Sequence, residues 1–304
     1  MTTSVLVGTV EGLRRLGPAG GDSVEALAGH SVTGLARGAD GSRWALVDGA
    51  AVWRADDGTW EPVATIDGPA ATCLIVSGDD VYVGTAGAHV LRVRSRSVER
   101  LAGFEEADGR DGWYTPWGGP PDTRSLTAGN DGTLYANVHV GGILRSSDSG
   151  ETWRPTIDVD NDVHQVLAGA ASVLAASAVG LATSDDGGDS WDVATDGLHA
   201  TYLRAAAVAG DDVLVSASTG PAGQESAVYR RTGGRGRFER CRTGLPEWLT
   251  GNVDTGWLDA VGAHAAFGTA DGTLFVSADA GRSWDTLAAG LPRLTAVAVV
   301  ADPV

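Results

Sequence analysis

Three histidines of this chain occupy positions at which imidazoles could bind a metal ion. His139 follows the run LYANV, His164 begins the run VHQVLAG, and His199 stands in the segment GLHATY. Together with a carboxylate such as Asp162 or Asp254, the three imidazoles would suit zinc or another divalent transition metal. No HxxxH or HxH pattern brings two of them together locally, so hydrogen-bonded pocket histidines are the alternative interpretation.

Large polar or aromatic side chains recur where predicted inner strands begin. They are Arg124, His164, Arg204, Trp257 and Arg293. Arginines that converge on one rim would form a local cationic site in an acidic protein, suited to a carboxylate or a phosphate. The alternative is that each arginine forms a surface salt bridge with one of the many neighbouring aspartates.

Two loop inserts, residues 104–124 and 243–257, concentrate aromatic side chains among Pro and Gly residues. The rings are Trp113, Tyr114, Trp117, Trp248 and Trp257. Exposed large rings favour a bound partner, such as a sugar on which they stack, whereas long loops also bury aromatics in a core of their own. With the three histidines, Arg124, Tyr202, Arg204, Asp254 and Arg293, these rings make up the predicted ligand-binding set.

The elements that must position these residues are indicated by a repeated octet, Ser-x-Asp-x-Gly-x-x-Trp. It occurs at Ser146–Trp153, Ser184–Trp191 and Ser277–Trp284. The Asp and Ser side chains can bond nearby backbone N–H groups, and the Gly permits a positive φ. The Trp can bury its ring between neighbouring sheets. The octet therefore predicts a structural turn rather than a catalytic motif.

Seven apolar runs mark a repeat around these octets. They begin at Val5, Arg43, Val81, Leu134, Val173, Val213 and Ala265. A period of about 40 residues with four short strands is typical of propeller blades. The alternation of Val, Ala and Thr, broken by Gly and Asp, favours strands. We predict an all-β, seven-bladed β-propeller of four-stranded blades, one domain over residues 1–304, closed by pairing of residues 294–300 with the N-terminal strand.

The octet resembles the Asp-box, or BNR repeat, of the sialidase-like propeller superfamily. Sialidases of that superfamily have six blades and clamp a carboxylate with three arginines beside a Tyr–Glu pair and an Asp acid. This chain has seven predicted blades and lacks their Arg-Ile-Pro signature, so their catalytic roles are not transferred to Arg124, Arg204 and Arg293. Other relatives are xyloglucan hydrolases, sortilin-type receptors and a seven-bladed photosystem II assembly factor. The resemblance thus implies a fold and leaves the activity open.

Composition excludes several functions. The net charge is −17, and all 22 basic residues are arginine, so no lysine is available for Schiff-base or P-loop chemistry. The acidity argues against a nucleic-acid partner, and no apolar run is long enough to span a membrane. Cys73 and Cys241 lie in different predicted strands, which disfavours a disulfide. With no predicted signal peptide, we expect a cytoplasmic protein.

Three functions fit these observations. The first is a ligand-binding propeller whose insert-bearing face takes a small anionic or sugar-like molecule. The second is a hydrolase or lyase on the same face, in which Glu247, Asp254 or a histidine acts as acid or base, with or without a divalent metal. The third is a protein-assembly scaffold that binds a partner through its aromatic inserts.

Overall fold

The computed structural model describes residues 3–17, 23–56, 58–116 and 118–301. These residues form seven antiparallel sheets of four strands each, as the sequence predicts. Six sheets each consist of four consecutive strands, and one sheet combines the first three strands of the chain with the last strand. The fold is an all-β, seven-bladed propeller, so the predicted fold class is confirmed. We number the blades 1 to 7 in chain order.

The strands of blades 1 to 4 account for the first half of the chain. They are β1 (Thr3–Thr9), β2 (Gly12–Leu16), β3 (Ser23–Ala26), β4 (Val32–Arg37), β5 (Arg43–Val47), β6 (Ala51–Ala55), β7 (Trp60–Thr65), β8 (Ala71–Ser77), β9 (Asp80–Thr85), β10 (His89–Arg94), β11 (Ser97–Arg100), β12 (Thr123–Ala128), β13 (Leu134–Val138), β14 (Gly142–Ser146) and β15 (Arg154–Pro155). A one-turn helix, α1 (Ala102–Glu105), and a 3-10 turn (Arg110–Gly112) lie in the first insert.

The remaining strands build blades 5 to 7 and complete blade 1. They are β16 (Val163–Ala168), β17 (Val173–Ser177), β18 (Gly180–Ser184), β19 (Asp192–Ala194), β20 (Ala206–Ala209), β21 (Asp212–Ala217), β22 (Ala227–Arg231), β23 (Glu239–Arg240), β24 (Leu258–Val261), β25 (His264–Gly268), β26 (Leu274–Ser277), β27 (Asp285–Ala288) and β28 (Leu294–Ala301). Two further 3-10 turns cover Val159–Asn161 and Thr232–Gly234.

Burial follows the position of each strand in its blade. The second strands β9, β13, β17 and β21 are buried at every residue. The outermost strands β11 and β15 are exposed throughout. The seven apolar runs predicted from the sequence are the second strands of the seven blades, β1, β5, β9, β13, β17, β21 and β25.

The three octets lie at the turns between the third and fourth strands of blades 4, 5 and 7, as predicted. In the last one, the Ser277 hydroxyl accepts from the Gly281 N–H (2.9 Å), and Asp279 accepts from the Ser283 N–H (2.9 Å). Gly281 has φ 81°, and the Trp284 ring is 2% exposed. Although partial burial opposes it, hydrogen bonding from Ser283 lowers the pKa of Asp279 to about 2. The octet is a folded turn whose donors and acceptors satisfy one another.

The last strand closes the propeller by pairing antiparallel with the first. The register runs from Thr3 opposite Ala301 to Thr9 opposite Leu294. A β-bulge shifts the pairing between Gly8 and Thr9. The predicted closure is confirmed.

The chain divides into two compact units. One comprises residues 1–32, 178–181 and 194–304, and the other residues 33–177 and 182–193. Cys73 and Cys241 are free thiols. Burial raises the pKa of Cys241 to about 11 and that of Cys73 to about 12. No helix within the described ranges has the length and apolarity needed to traverse a bilayer.

Candidate functional site

Two of the predicted histidines meet one aspartate in the unit that spans residues 33–177. His139 follows β13 in blade 4, and its N–H donates to the Asp122 carbonyl (3.0 Å). His164 is the second residue of β16 in blade 5, and Asp162 caps the 3-10 turn just before that strand. The three residues form the one group of three potential metal-ligand side chains in the part of the chain that the structure describes.

The group is compact and largely buried. His139 Nε2 lies 3.7 Å from Asp162 Oδ1, and His164 Nε2 lies 3.5 Å from Asp162 Oδ2. The two imidazole rings are 6.3 Å apart between centroids. His139 is 6% exposed and His164 is fully buried, whereas the carboxylate is only partly covered. Ligand atoms from all three residues lie within 4.8 Å of one another.

Arg124 brings a positive charge to the same place. It belongs to β12, and its Nη1 lies 3.5 Å from His139 Nε2. The pKa of Asp162 lies below its ordinary value, mainly because of the contact with His164. The charges of His164, His139 and Arg124 act in the same direction, and burial acts in the opposite one. We call Arg124, His139, Asp162 and His164 the β16 cluster.

A buried amide holds the two blades of the β16 cluster in register. Asn137 on β13 is fully buried, and its Nδ2 donates to the Val163 carbonyl (2.9 Å). Asn137 stands two residues before His139, and Val163 directly precedes His164. This side-chain bond crosses from blade 4 to blade 5, so it fixes the two imidazoles relative to each other. The sequence analysis did not find it.

The first insert supports the turn that carries His139. The Tyr114 N–H donates to the Val140 carbonyl (3.3 Å), and Val140 itself has φ 43°. A Cβ placed on Gly141 would lie 2.9 Å from the Trp113 ring, so this ring packs directly on the turn. Backbone strain at a β-branched residue persists only where the surroundings hold it. The insert therefore helps to hold the turn after β13.

The same insert has a core of its own. Trp113 packs on Phe104 (ring centroids 5.7 Å apart), which meets Trp153 edge-on (5.1 Å). Glu105 accepts hydrogen bonds from Arg100 (2.9 Å) and Arg110 (3.1 Å). Trp113 is thus part of a private aromatic core, whereas Tyr114 is 50% exposed. Trp117 lies outside the described residues.

His199 makes different contacts, in the unit that includes residues 194–304. Its Nδ1 lies 2.8 Å from the Tyr229 hydroxyl, and its ring stacks on Tyr229 and packs 5.1 Å from Trp248. Burial lowers the pKa of His199, and the Arg240 charge acts in the same direction. The Arg240 guanidinium lies 3.9 Å from the Trp248 ring centroid, although that ring is 37% exposed. His199 is therefore held by aromatic contacts and is not a member of the three-residue group.

Arg204 and Asp254 form a pair in that same unit. Arg204 Nη1 donates to Asp254 Oδ2 (3.2 Å), and the guanidinium lies 5.9 Å from the Tyr202 ring. The Thr255 N–H donates to Asp254 Oδ1 (2.8 Å), and the Thr255 hydroxyl donates to the Arg204 carbonyl (3.1 Å). We call His199, Tyr202, Arg204 and Asp254 the β20 cluster.

The last two predicted residues have local roles. Trp257 is half-buried and packs against the hydrophobic cores of blades 6 and 7 and of the closing strand. The Arg293 side chain is exposed, and its carbonyl accepts from the Val10 N–H (3.1 Å). Trp257 thus fits the core interpretation. A ligand-binding role for either residue stays a prediction.

One carboxyl group beside the β16 cluster was not singled out from the sequence. Asp122 directly precedes β12, and its carbonyl accepts the His139 N–H. Burial raises the pKa of Asp122, partly offset by a backbone hydrogen bond from Gly87 and by the Arg124 charge. Two aspartates whose pKa values shift in opposite directions, Asp122 and Asp162, therefore both contact His139. Only the predicted position before an inner strand could have suggested Asp122.

Comparison with known proteins supports the fold. The seven-bladed propeller has solved structural neighbours, among them YCF48 bound to D1 peptide. This structure matches with a TM-score of 0.60 at 12% identity, and the match covers 89% of this chain and 83% of the other. A nidogen/laminin complex structure matches with a TM-score of 0.54 at 12% identity, covering 98% of both chains. The GH74 xyloglucanase from Xanthomonas campestris matches with a TM-score of 0.55 at 19% identity, and this chain covers 45% of it.

At these identities the neighbours establish the fold alone. No protein-family model and no curated protein matches the chain. The chemistry of the candidate site therefore rests on the residues themselves. Two imidazoles, one carboxylate and one guanidinium can bind an anion, hold a divalent metal or transfer a proton.

Proposed function

We propose that this protein is a ligand-binding propeller whose β16 cluster binds a small anionic molecule, such as an acidic sugar. The carrying observation is the convergence of Arg124, His139 and His164 around the single carboxylate of Asp162, in a chain of net charge −17. Cationic donors gathered inside an acidic protein attract and orient a carboxylate or phosphate.

The surroundings suit a small polar ligand. The Asp162 side chain is partly exposed, and the backbone N–H of Tyr114, whose side chain is also exposed, bonds the turn that carries His139. Charged donors together with an exposed ring on the adjoining insert would suit a molecule with both a flat apolar surface and a negative group. A sugar acid has both features.

Binding of glucuronate and glucose, followed by calorimetry, tests this proposal. The two sugars differ in the carboxylate, so we expect glucuronate to bind at least 10-fold more tightly. Arg124→Ala should weaken glucuronate binding about 10- to 100-fold, the range for a lost hydrogen bond to a charged group. Arg96→Ala is the matched control, because it removes an exposed arginine outside the predicted ligand-binding set and should leave binding unchanged.

Equal affinity for the two sugars would contradict the proposal. So would glucuronate binding that survives Arg124→Ala, or no binding by any member of a panel of uronic acids and short dicarboxylates at about 10 mM.

A hydrolase or lyase is the second candidate, favoured by two aspartates that contact His139, Asp122 through its backbone carbonyl and Asp162 through its carboxylate. Carboxyl groups whose surroundings move their pKa values apart are suited to act as acid and base. Asp122, with its raised pKa, would donate a proton, and the ionised Asp162 would accept one. Chromogenic uronides incubated with wild type, Asp122→Asn and Asp162→Asn test this: turnover abolished by either change supports an enzyme, and no turnover at any pH contradicts it.

A protein-assembly role is the third candidate. Its support is the exposed Tyr114 and a neighbouring propeller whose structure carries a bound peptide. If Tyr114→Ala removed a co-purifying partner and Arg124→Ala did not, this role would replace ligand binding.

We also infer that the chain is a seven-bladed member of the Asp-box superfamily and works in the cytoplasm. The support for membership is the hydrogen bonding of its three octets at equivalent blade turns. Fractionation of cells that make the native protein tests the location: recovery outside the cytoplasm would contradict it.

A further inference from the structure

We propose that His139, Asp162 and His164 bind one divalent transition-metal ion, with zinc as the expected ion. The role of this ion rests on the proposed function, because the ion would present an open coordination position to the anionic ligand. The binding itself depends only on the three side chains.

The separations of the ligand atoms are short enough for one ion to reach all three residues. Bonds of about 2.1 Å at tetrahedral angles place neighbouring ligand atoms about 3.4 Å apart. His139 Nε2 lies 3.7 Å from Asp162 Oδ1, His164 Nε2 lies 3.5 Å from Asp162 Oδ2, and one ligand atom from each residue lies within 4.8 Å of the others. Both distances exceed a normal hydrogen bond between nitrogen and oxygen, which is 2.7–3.2 Å.

One ligand atom also lacks another partner. Asp162 Oδ1 is a buried atom that accepts no hydrogen bond from the residues that the structure describes. Leaving a buried carboxylate oxygen unsatisfied is costly. A metal ion held between this oxygen and the two imidazoles would satisfy it.

The ligand types select the kind of ion. Two imidazoles and one carboxylate suit zinc, iron or nickel, whereas calcium and magnesium prefer sets of oxygen atoms. Three protein ligands leave at least one position for water or for a ligand carboxylate, as in catalytic zinc sites. Arg124 beside His139 would then pair with the free oxygen of that carboxylate.

The scaffold places the three side chains before any ion binds. His164 is fixed in a central strand, and Asn137 ties the strands of His139 and His164 together. Asp162 adopts φ 44°, a left-handed conformation that non-glycine residues rarely take.

Zinc titration of chelator-stripped protein tests the site, with calorimetry for affinity and elemental analysis for stoichiometry. We expect one zinc per chain. Asp162→Asn and His139→Ala should each weaken binding by about 100-fold or more, because losing even an outer-shell partner costs 10- to 100-fold. His199→Gln is the matched control and should keep wild-type affinity, since His199 bonds Tyr229. Equal loss in His199→Gln and Asp162→Asn would overturn this ligand set.

Cobalt provides a second measurement that does not depend on a stable His164 variant. Cobalt bound by the wild type should give intense visible bands of a four- or five-coordinate site, absent in Asp162→Asn. A titration with no saturable zinc or cobalt binding would overturn the inference.

The two proposals fail separately. Glucuronate binding that depends on Arg124, in a protein that shows no saturable zinc or cobalt binding, would overturn the metal site and keep the proposed function. Stoichiometric zinc binding with no carboxylate bound by the zinc-loaded protein would keep the metal site and overturn the proposed function.

Discussion

The β16 and β20 clusters have similar residues and very different chemistry. In the β20 cluster, Arg204 and His199 each bond one partner directly, at 3.2 Å to Asp254 and 2.8 Å to Tyr229. In the β16 cluster, one carboxylate faces two imidazoles at 3.5 and 3.7 Å, beyond hydrogen-bond length. Both clusters lie where a chain segment enters an inner strand.

The difference lies in the distances between the charged partners. In the β20 cluster, Thr255 bonds both Asp254 and the Arg204 backbone, so the ion pair is part of the local fold. In the β16 cluster, the separations leave room for a further atom between the side chains. Similar residues at equivalent places thus form a structural pair in one case and the proposed binding site in the other.

The effect of zinc on the free energy of unfolding should distinguish variants of the two clusters most strongly. At a zinc concentration 100-fold above Kd, the free energy of unfolding of the wild type should rise by about 2.7 kcal/mol, because zinc binds the folded state. Asp254→Asn should show the same rise, and Asp162→Asn should show none. Thermal unfolding with and without zinc measures this, and a rise in both variants would remove the distinction between the clusters.

Asn137 tests whether the β16 cluster is held in place by a buried bond. Asn137→Ala should lower the free energy of unfolding by about 1–3 kcal/mol, because the Val163 carbonyl loses its buried donor. Asn252→Ala is the matched control, since the Asn252 amide makes longer bonds of 3.2 and 3.4 Å in a less buried place. Urea unfolding of the two variants gives the comparison, and equal losses would contradict the assigned role.

A double-mutant cycle tests whether Arg204 and Asp254 are a structural pair. We expect Arg204→Ala and Asp254→Ala to show a coupling free energy of about 0.5–1 kcal/mol. This value is smaller than that of a fully buried ion pair, because solvent screens the partly exposed carboxylate. Urea unfolding of the single and double variants gives the coupling. A coupling near zero would show that Thr255, rather than the ion pair, fixes this region.

The smallest effect concerns protonation of His199. Its pKa is lowered by burial, so below about pH 6.5 the unfolded chain binds a proton that the folded protein still excludes. The free energy of unfolding should therefore fall as the pH drops from about 6.5 to the folded pKa, and this contribution is fully present above about 6.5. Urea unfolding at about pH 7.5 and 5.5 should show a smaller loss for His199→Gln than for wild type. An equal loss would contradict a buried neutral imidazole.

The fold could be predicted because its signal is local and repeated. Each second strand is buried on both faces and therefore apolar along its whole length, as in β9 and β17. In each octet the Ser hydroxyl accepts from the Gly N–H four residues later, so the turn keeps this bond wherever it occurs. Neither feature depends on contacts far along the chain.

The candidate site could be predicted only in part. The sequence analysis grouped His139 and His164 in one candidate metal site, and the structure brings them together around Asp162. The sequence did not show that Asp162 would be the aspartate beside them, because this depends on the left-handed turn at Asp162. It also did not show that His199 would pack on Tyr229, because this depends on the path of a long loop. The roles of Asn137 and Asp122 arise from contacts between blades, for which the sequence contains no periodic signal.

The pairing of β28 with β1 also constrains the order of folding during synthesis. Blades 2 to 7 are each built from four consecutive strands. The first sheet is not, because Thr3 and Ala301 are partners from opposite ends of the described chain. Strands β1 to β3 therefore keep an unpaired edge until β28 is available to pair with β1.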